Sequence, residues 1–123
     1  YEYLSLQKEV RDVDKPLLKN SVIRHFGAEI NDFTDTAALC ELVDLVISVD
    51  TSVVHLAGAI GKRTWVLLPF SPDWRWLLNR SDSPWYDSVT LYRQDSDRSY
   101  APVIRKVFSD LKNDISSPKV LRN

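Results

Sequence analysis

The run Leu45-Val46-Ile47-Ser48-Val49-Asp50-Thr51-Ser52-Val53-Val54-His55-Leu56-Ala57-Gly58-Ala59-Ile60-Gly61 reads as a strand, a tight turn and a helix. Its first five residues are nearly all apolar and mostly β-branched. A strand covered on both faces inside a parallel sheet has that pattern. From Val53 the period changes: Val53, Leu56, Ala57 and Ile60 fall at i, i+3, i+4 and i+7, and Gly61 suits a helix stop.

Working outward, Trp65-Val66-Leu67-Leu68 is a second buried strand, closed by Pro69. Ser88 to Tyr92 alternates apolar and polar residues like an edge strand, and Ile104, Val107, Phe108 and Leu111 form the stripe of a last helix. Upstream, Thr34 to Val43 reads as a helix with Thr34 as N-cap, Asp35 in its first turn, and Ala38, Leu39, Leu42 and Val43 inward. Glu29 to Asn31 reads as a short strand. Pro16 to Phe26 reads as a helix, with Leu18, Val22 and Phe26 four apart and Gly27 at its end. Tyr3 to Gln7 is the first strand. Strands alternating with helices at this spacing predict an α/β fold with a parallel sheet of about five strands and right-handed crossovers. Residues 1–115 form one domain in this reading, and 116–123 a polar tail.

The whole composition narrows the function classes. The chain has 123 residues, with 16 Lys and Arg against 17 Asp and Glu, a net charge of −1. A phosphate-backbone binder needs a clustered basic excess, so nucleic acid is not an expected partner. No apolar run approaches the ~20 residues that span a bilayer. A single cysteine, Cys40, excludes an internal disulfide and a cysteine zinc site, and points to a reducing, cytoplasmic compartment. His25 and His55 are too far apart in sequence to suggest a metal site, so no metal and no cofactor are expected. The chain contains no Met and starts at Tyr1 inside a strand-like stretch, which reads as a piece of a longer protein.

Candidate chemistry gathers where the central strand meets its helix. Ligands of open α/β sheets bind at the carboxyl ends of strands. The first N–H groups of a helix lack internal partners and carry partial positive charge, so they suit phosphate. Asp50, Thr51, Ser52, Val53 and His55 occupy that junction. Thr51 and His55, four apart, share a helix face on this reading, and His55 lies off the apolar stripe. His55 either donates to a diphosphate oxygen or fills a surface groove, and Asp50 and Thr51 either bind ligand or cap the helix. Gln7, Lys8 and Glu9 follow the first strand on the same rim, with Lys8 a donor-site candidate and Glu9 a ribose candidate, or all three in a solvated loop. Thr34 and Asp35 begin a helix on that rim, as ligand groups or as caps. Trp74, Trp76 and Trp85 cluster between Pro72 and Tyr86; they stack on a base or sugar, or pack an irregular loop. Arg75 and Arg80 face phosphate or nearby Asp residues. Trp65, His25 and Cys40 read as structural.

Ser48 to Lys62 resembles the D-[ST]-G-x-x-H-L-A-x-A-L-G-x-P signature of heptosyltransferase-like glycosyltransferases, family nine and its relatives, which have the GT-B fold. Thr34 to Asp44 and Gly61 to Pro69 resemble the flanking helix and strand of that family. Ser71 to Trp76, Asp82 to Tyr86 and Leu91 to Gln94 resemble a bacterial subgroup in which the domain follows tetratricopeptide repeats. The likeness runs from about Tyr3 to Leu111. It implies a three-layer, Rossmann-like C-terminal half of a GT-B fold that binds a nucleoside-diphosphate sugar. Asp50, Thr51, Ser52, Val53 and His55 would then line the donor site, and the catalytic base and acceptor site would belong to an N-terminal half-domain. The implied reaction is metal-free sugar transfer to an acceptor hydroxyl. The family usually has Gly where Ser52 stands, which loosens the implied backbone approach to diphosphate. Two other readings remain open: a degenerate, non-catalytic interaction domain beside helical repeats, and a flavodoxin-like binding domain.

The resemblance also implies a strand order. The chain would start at the family's second strand, with the family's first, central strand before Tyr1, so the Leu4 strand would lie between those near Ile30 and Ile47. Either it closes against the Ile47 strand in a flavodoxin-like order, 2-1-3-4-5, or the exposed edges are filled by another chain or left frayed.

Overall fold

The computed structural model describes residues 2–7, 10–71, 76–77 and 80–116. The elements run β1 (Leu4–Ser5), α1 (Lys15–Lys19), β2 (Arg24–His25), a 3₁₀ turn (Gly27–Glu29), α2 (Phe33–Leu42), β3 (Val46–Val49), α3 (Ser52–Ala59), β4 (Thr64–Leu68), β5 (Val89–Arg93) and α4 (Ala101–Ser116). The fold is mixed α/β. Among the described residues no helix is long and apolar enough to cross a membrane.

Among the described residues every strand-to-strand ladder is parallel, as the alternation predicted, but the strands form two sheets and not one. β1 pairs with β2, and β3, β4 and β5 pair in that order. β1 does not close against β3. No antiparallel strand pairs with β3 among the described residues; an isolated antiparallel bridge joins Asp82 and Thr90.

The three-stranded sheet is packed on both faces at β4. Val66 and Leu68 join Val89 and Leu91 of β5 under Val54 of α3, with Trp76 inserted beside them. On the opposite face Trp65 and Tyr92 pack against Val103 and Val107 of α4. Cys40 of α2, Val46 and Ala57 of α3 make a third cluster, to which Leu6 adds. Cys40 and Trp65 are thus core residues, as read from sequence.

β3 departs from its expected double cover. Ile47 and Val49 are 42% and 49% exposed. Their register partners are Trp65 and Leu67, so they project on the α4 face, which α4 covers over β4 and β5 but not over β3.

The N-terminal third departs further. The helix expected over Pro16 to Phe26 is only five residues long, with Pro16 near its start. The strand that pairs with β1 is Arg24–His25, and the expected strand at Glu29 to Asn31 is a 3₁₀ turn that begins at buried Gly27. Ser21 ends the helix locally, its hydroxyl donating to the Leu18 carbonyl at 2.7 Å and accepting from the Ile23 N–H at 3.2 Å. Such side-chain bonds compete with helix propagation.

In α2 the cap is Asp32, not Thr34: the Asp32 carboxylate accepts the Thr34 and Asp35 N–H groups at 2.9 and 3.2 Å. The inward face carries Thr36 and Cys40, while Ala38 is exposed and Leu42 is 78% exposed. α3 buries Val54, Ala57 and Gly58, one position round from the expected stripe, leaving Ile60 exposed. Gly61 ends it as expected, at φ +74°, where a Cβ would be strained. α4 buries Val103 and Val107 and exposes Ile104 and Phe108.

Candidate functional site

The chain leaves β3 at Val49 and enters α3 through Asp50 and Thr51, at the carboxyl edge of a parallel sheet. Thr51 is the N-cap residue in extended geometry, φ −140° and ψ 174°, and its side chain makes no capping bond. Its hydroxyl lies 3.3 Å from that of Ser48. Because Thr51 stands outside the helix, the four-residue spacing to His55 does not place the two on one helical face.

The structure divides the predicted set in two. Thr51, Ser52 and Val53 line a groove of about 1360 Å³ that runs between β1 and β3, and Gln7 lines it from the β1 side. Asp50 and His55 engage the aromatic segment that follows β4. The indole Nε1–H of Trp76 donates to Asp50 Oδ2 at 3.0 Å. His55 Nε2 lies 3.5 Å from Asp50 Oδ1, and His55 Nδ1 lies 3.4 Å from the Tyr86 hydroxyl. A carboxylate only accepts, so it is an Nε2–H that suits the Asp50 side, while Nδ1 and the Tyr86 hydroxyl stand within hydrogen-bond reach of each other. The imidazole also stacks on Trp76, with ring centroids 5.5 Å apart and planes 22° from parallel.

The sequence supports this arrangement locally. Trp76 is fully buried, and its indole reaches Asp50 because Val54, Val66 and Leu68 hold the ring from below. The buried Ser83 hydroxyl accepts the N–H groups of Trp85 and Tyr86 at 3.1 and 3.2 Å, which turns the chain so that the Tyr86 ring lies over Gly58. Arg93, at the end of β5, donates to the carbonyls of Arg80 and Trp76. Burial, then the nearby Arg80 charge, lower the Arg93 pKa. Arg80 pairs with Asp82 at 2.6 Å and holds that carboxyl below its ordinary range. Arg80 is therefore engaged by a local Asp.

The other candidates sit apart. Asp35 accepts the Asn31 N–H at 2.8 Å and Thr34 is exposed; the described groove lining at that end of α2 comes from Asp32 and Phe33. Lys8, Glu9, Trp74 and Arg75 lie outside the described residues. Trp76 is core, whereas Trp85 is exposed. Sequence reasoning missed Tyr86 and Ser83 as the groups that hold His55. Tyr86 is 31 residues from His55, and no periodicity reaches that far. Among the described residues no group of three or more His, Cys, Asp or Glu could hold a metal ion.

Chemically, the junction offers two hydroxyls and a helix N-terminus without a side-chain cap to the groove. Its carboxylate and imidazole are turned to the aromatic segment, with 26% and 28% of their side chains still exposed.

No family model matches the chain, and no solved structure matches it. It is 34% identical over 82 residues to Protein FlbA of Caulobacter vibrioides. That match covers 67% of this chain and only 13% of the Caulobacter protein.

Proposed function

We propose that the chain is the nucleotide-sugar-binding half of a glycosyltransferase, Rossmann-like and of the GT-B type. The diphosphate sits at the start of α3, and a second half-domain completes the cleft. The observation that carries this reading is the placement of Thr51, Ser52 and Val53 on the groove at the carboxyl end of β3. Amide donors there need no side-chain cap to be displaced before a phosphate binds. Sugar transfer to an acceptor hydroxyl requires a base, which the reading assigns to the second half-domain.

A second reading is favoured by a separate observation. Asp50 and His55 are engaged by Trp76 and Tyr86 and are not among the residues lining the groove that would take a donor. In that reading the chain is a non-catalytic interaction domain.

Titration with millimolar UDP, ADP and GDP, followed by amide chemical shifts, separates the two. Donor binding predicts shifts centred on Thr51 to His55. Unmoved amides with all three nucleotides would leave the scaffold as the better reading.

A further inference from the structure

We infer that Trp76 is a positioning residue for the start of α3: together with His55 it holds the Asp50 carboxylate away from the first amides of that helix and so keeps them open to an anion. What the open end serves rests on the nucleotide-sugar reading; the restraint on Asp50 does not.

Two helices have their starts on the groove, and the starts differ. A carboxylate beside a helix N-terminus is drawn to its unpaired N–H groups and partial positive charge. At α2 that attraction is satisfied: the Asp32 carboxylate, on the groove wall, is held by the Thr34 and Asp35 N–H groups. At α3 two polar side chains stand at the entrance and both are diverted. The Thr51 hydroxyl makes no capping bond and lies 3.3 Å from that of Ser48, whose own proton goes to the Val49 carbonyl at 2.8 Å. Both oxygens of Asp50 are taken on the aromatic side. Oδ2 accepts the Trp76 indole N–H at 3.0 Å, and Oδ1 lies 3.5 Å from His55 Nε2. Val49, Thr51, Ser52 and Val53 line the groove on either side of Asp50, which does not.

The anchoring of Trp76 fits it for this role. Its ring is fully buried against Val54, Val66 and Leu68, its carbonyl accepts from Arg93, and His55 stacks on it. The donor therefore stands on the core and cannot follow the carboxylate. An indole N–H only donates, so it suits a carboxylate and nothing else about the ring requires one there. A freed Asp50 would act twice in the same direction. It would compete for the Ser52 and Val53 amides, and it would set a negative charge beside a bound phosphate. Packing the core needs the ring alone, whereas holding Asp50 needs the N–H. The two roles separate in a variant that keeps a ring and loses the donor.

Trp76→Phe and Asp50→Asn, alone and combined, test this in the 123-residue chain. Without nucleotide, Asp50→Asn should move the Ser52 and Val53 amide shifts at least about threefold further in the Trp76→Phe background than in the parent, since only there does the carboxylate reach the helix. With whichever of UDP, ADP and GDP binds most tightly, Trp76→Phe should weaken binding about tenfold, and the double variant should match Asp50→Asn alone. An equal effect of Asp50→Asn on those amides in both backgrounds overturns the inference. So does a loss of binding that Asp50→Asn does not restore, because Trp76 then acts through packing alone. If Trp76→Phe does not fold, His55→Phe, which keeps a ring on Trp76 and removes Nε2, is read in the same way. If no nucleotide binds the parent, the nucleotide-sugar reading fails, and the amide comparison still decides the role of Trp76.

Discussion

Replacing Gly58 by Ala sets two effects of opposite sign against each other. Within a helix, Gly to Ala normally stabilises by about 0.5–1 kcal/mol, because Gly loses more backbone freedom on folding. Here the new methyl would lie 2.6 Å from Tyr86 Cγ and 2.9 Å from both Cδ atoms. Cγ is the ring atom nearest its own backbone, so the ring cannot swing clear without moving the segment that Ser83 and Arg93 hold. Overpacking of this kind costs about 1–3 kcal/mol. The net expectation is a loss of about 1 kcal/mol, or roughly 4 °C in Tm for a chain of this size. Urea unfolding at fixed pH measures it. In a Tyr86→Ala background the clash is gone, and Gly58→Ala should stabilise by about 0.5–1 kcal/mol. The cycle then gives a coupling near 2 kcal/mol. A Gly58→Ala protein as stable as its parent, with Tyr86 intact, would refute the close packing of α3 on Tyr86.

Val66→Ala, at the fully buried centre of β4, should cost about 2–4 kcal/mol, whereas Ile47→Ala, 42% exposed, should cost about 1 kcal/mol or less; equal costs in residues 1–123 would contradict the open α4 face of β3. Stability should fall in alkali. Burial pushes up the Cys40 thiol, and burial followed by the Asp110 carboxylate pushes up the Tyr92 phenol. Both stay protonated in the folded chain beyond their ordinary 9.0 and 10.0, so their stabilisation is full below those values and lost as pH rises past them. Urea midpoints from about pH 8 to 11 should drop, and Tyr92→Phe should flatten the upper part of that drop; an unchanged slope counts against the Tyr92–Asp110 contact.

The sequence was most legible where local pattern and burial agree. The β-branched run at Val46 to Val49, the strand around Val66 and the glycine stop at Gly61 are all present, because period and turn chemistry act within a few residues. It was least legible where tertiary contacts override propensity. Leu18, Val22 and Phe26 recur at helical spacing, yet Ser21 and the pairing of Arg24 with Leu4 draw that segment into a strand. Ile47 and Val49 carry the composition of a doubly covered strand without the cover. The candidate site was half legible. Thr51 to Val53 follow from the strand–helix junction, but the attachment of Asp50 and His55 to Trp76 and Tyr86 joins residues 26 and 31 positions apart. Periodicity carries no information at that range.

The order β3-β4-β5 gives each strand its chain neighbour as sheet neighbour, and this bears on the entropy of loop closure. Fourteen residues separate Val49 from Thr64, and twenty separate Leu68 from Val89. Doubling a flexible loop costs only ~0.6 kcal/mol, so these two closures differ by roughly 0.3 kcal/mol. Chain entropy therefore gives almost no preference for which pairing forms first. β4 is common to both, and ordering it brings either closure within reach. Length changes in the two connections leave that balance nearly untouched, while damage to the five residues of β4 removes both pairings at once.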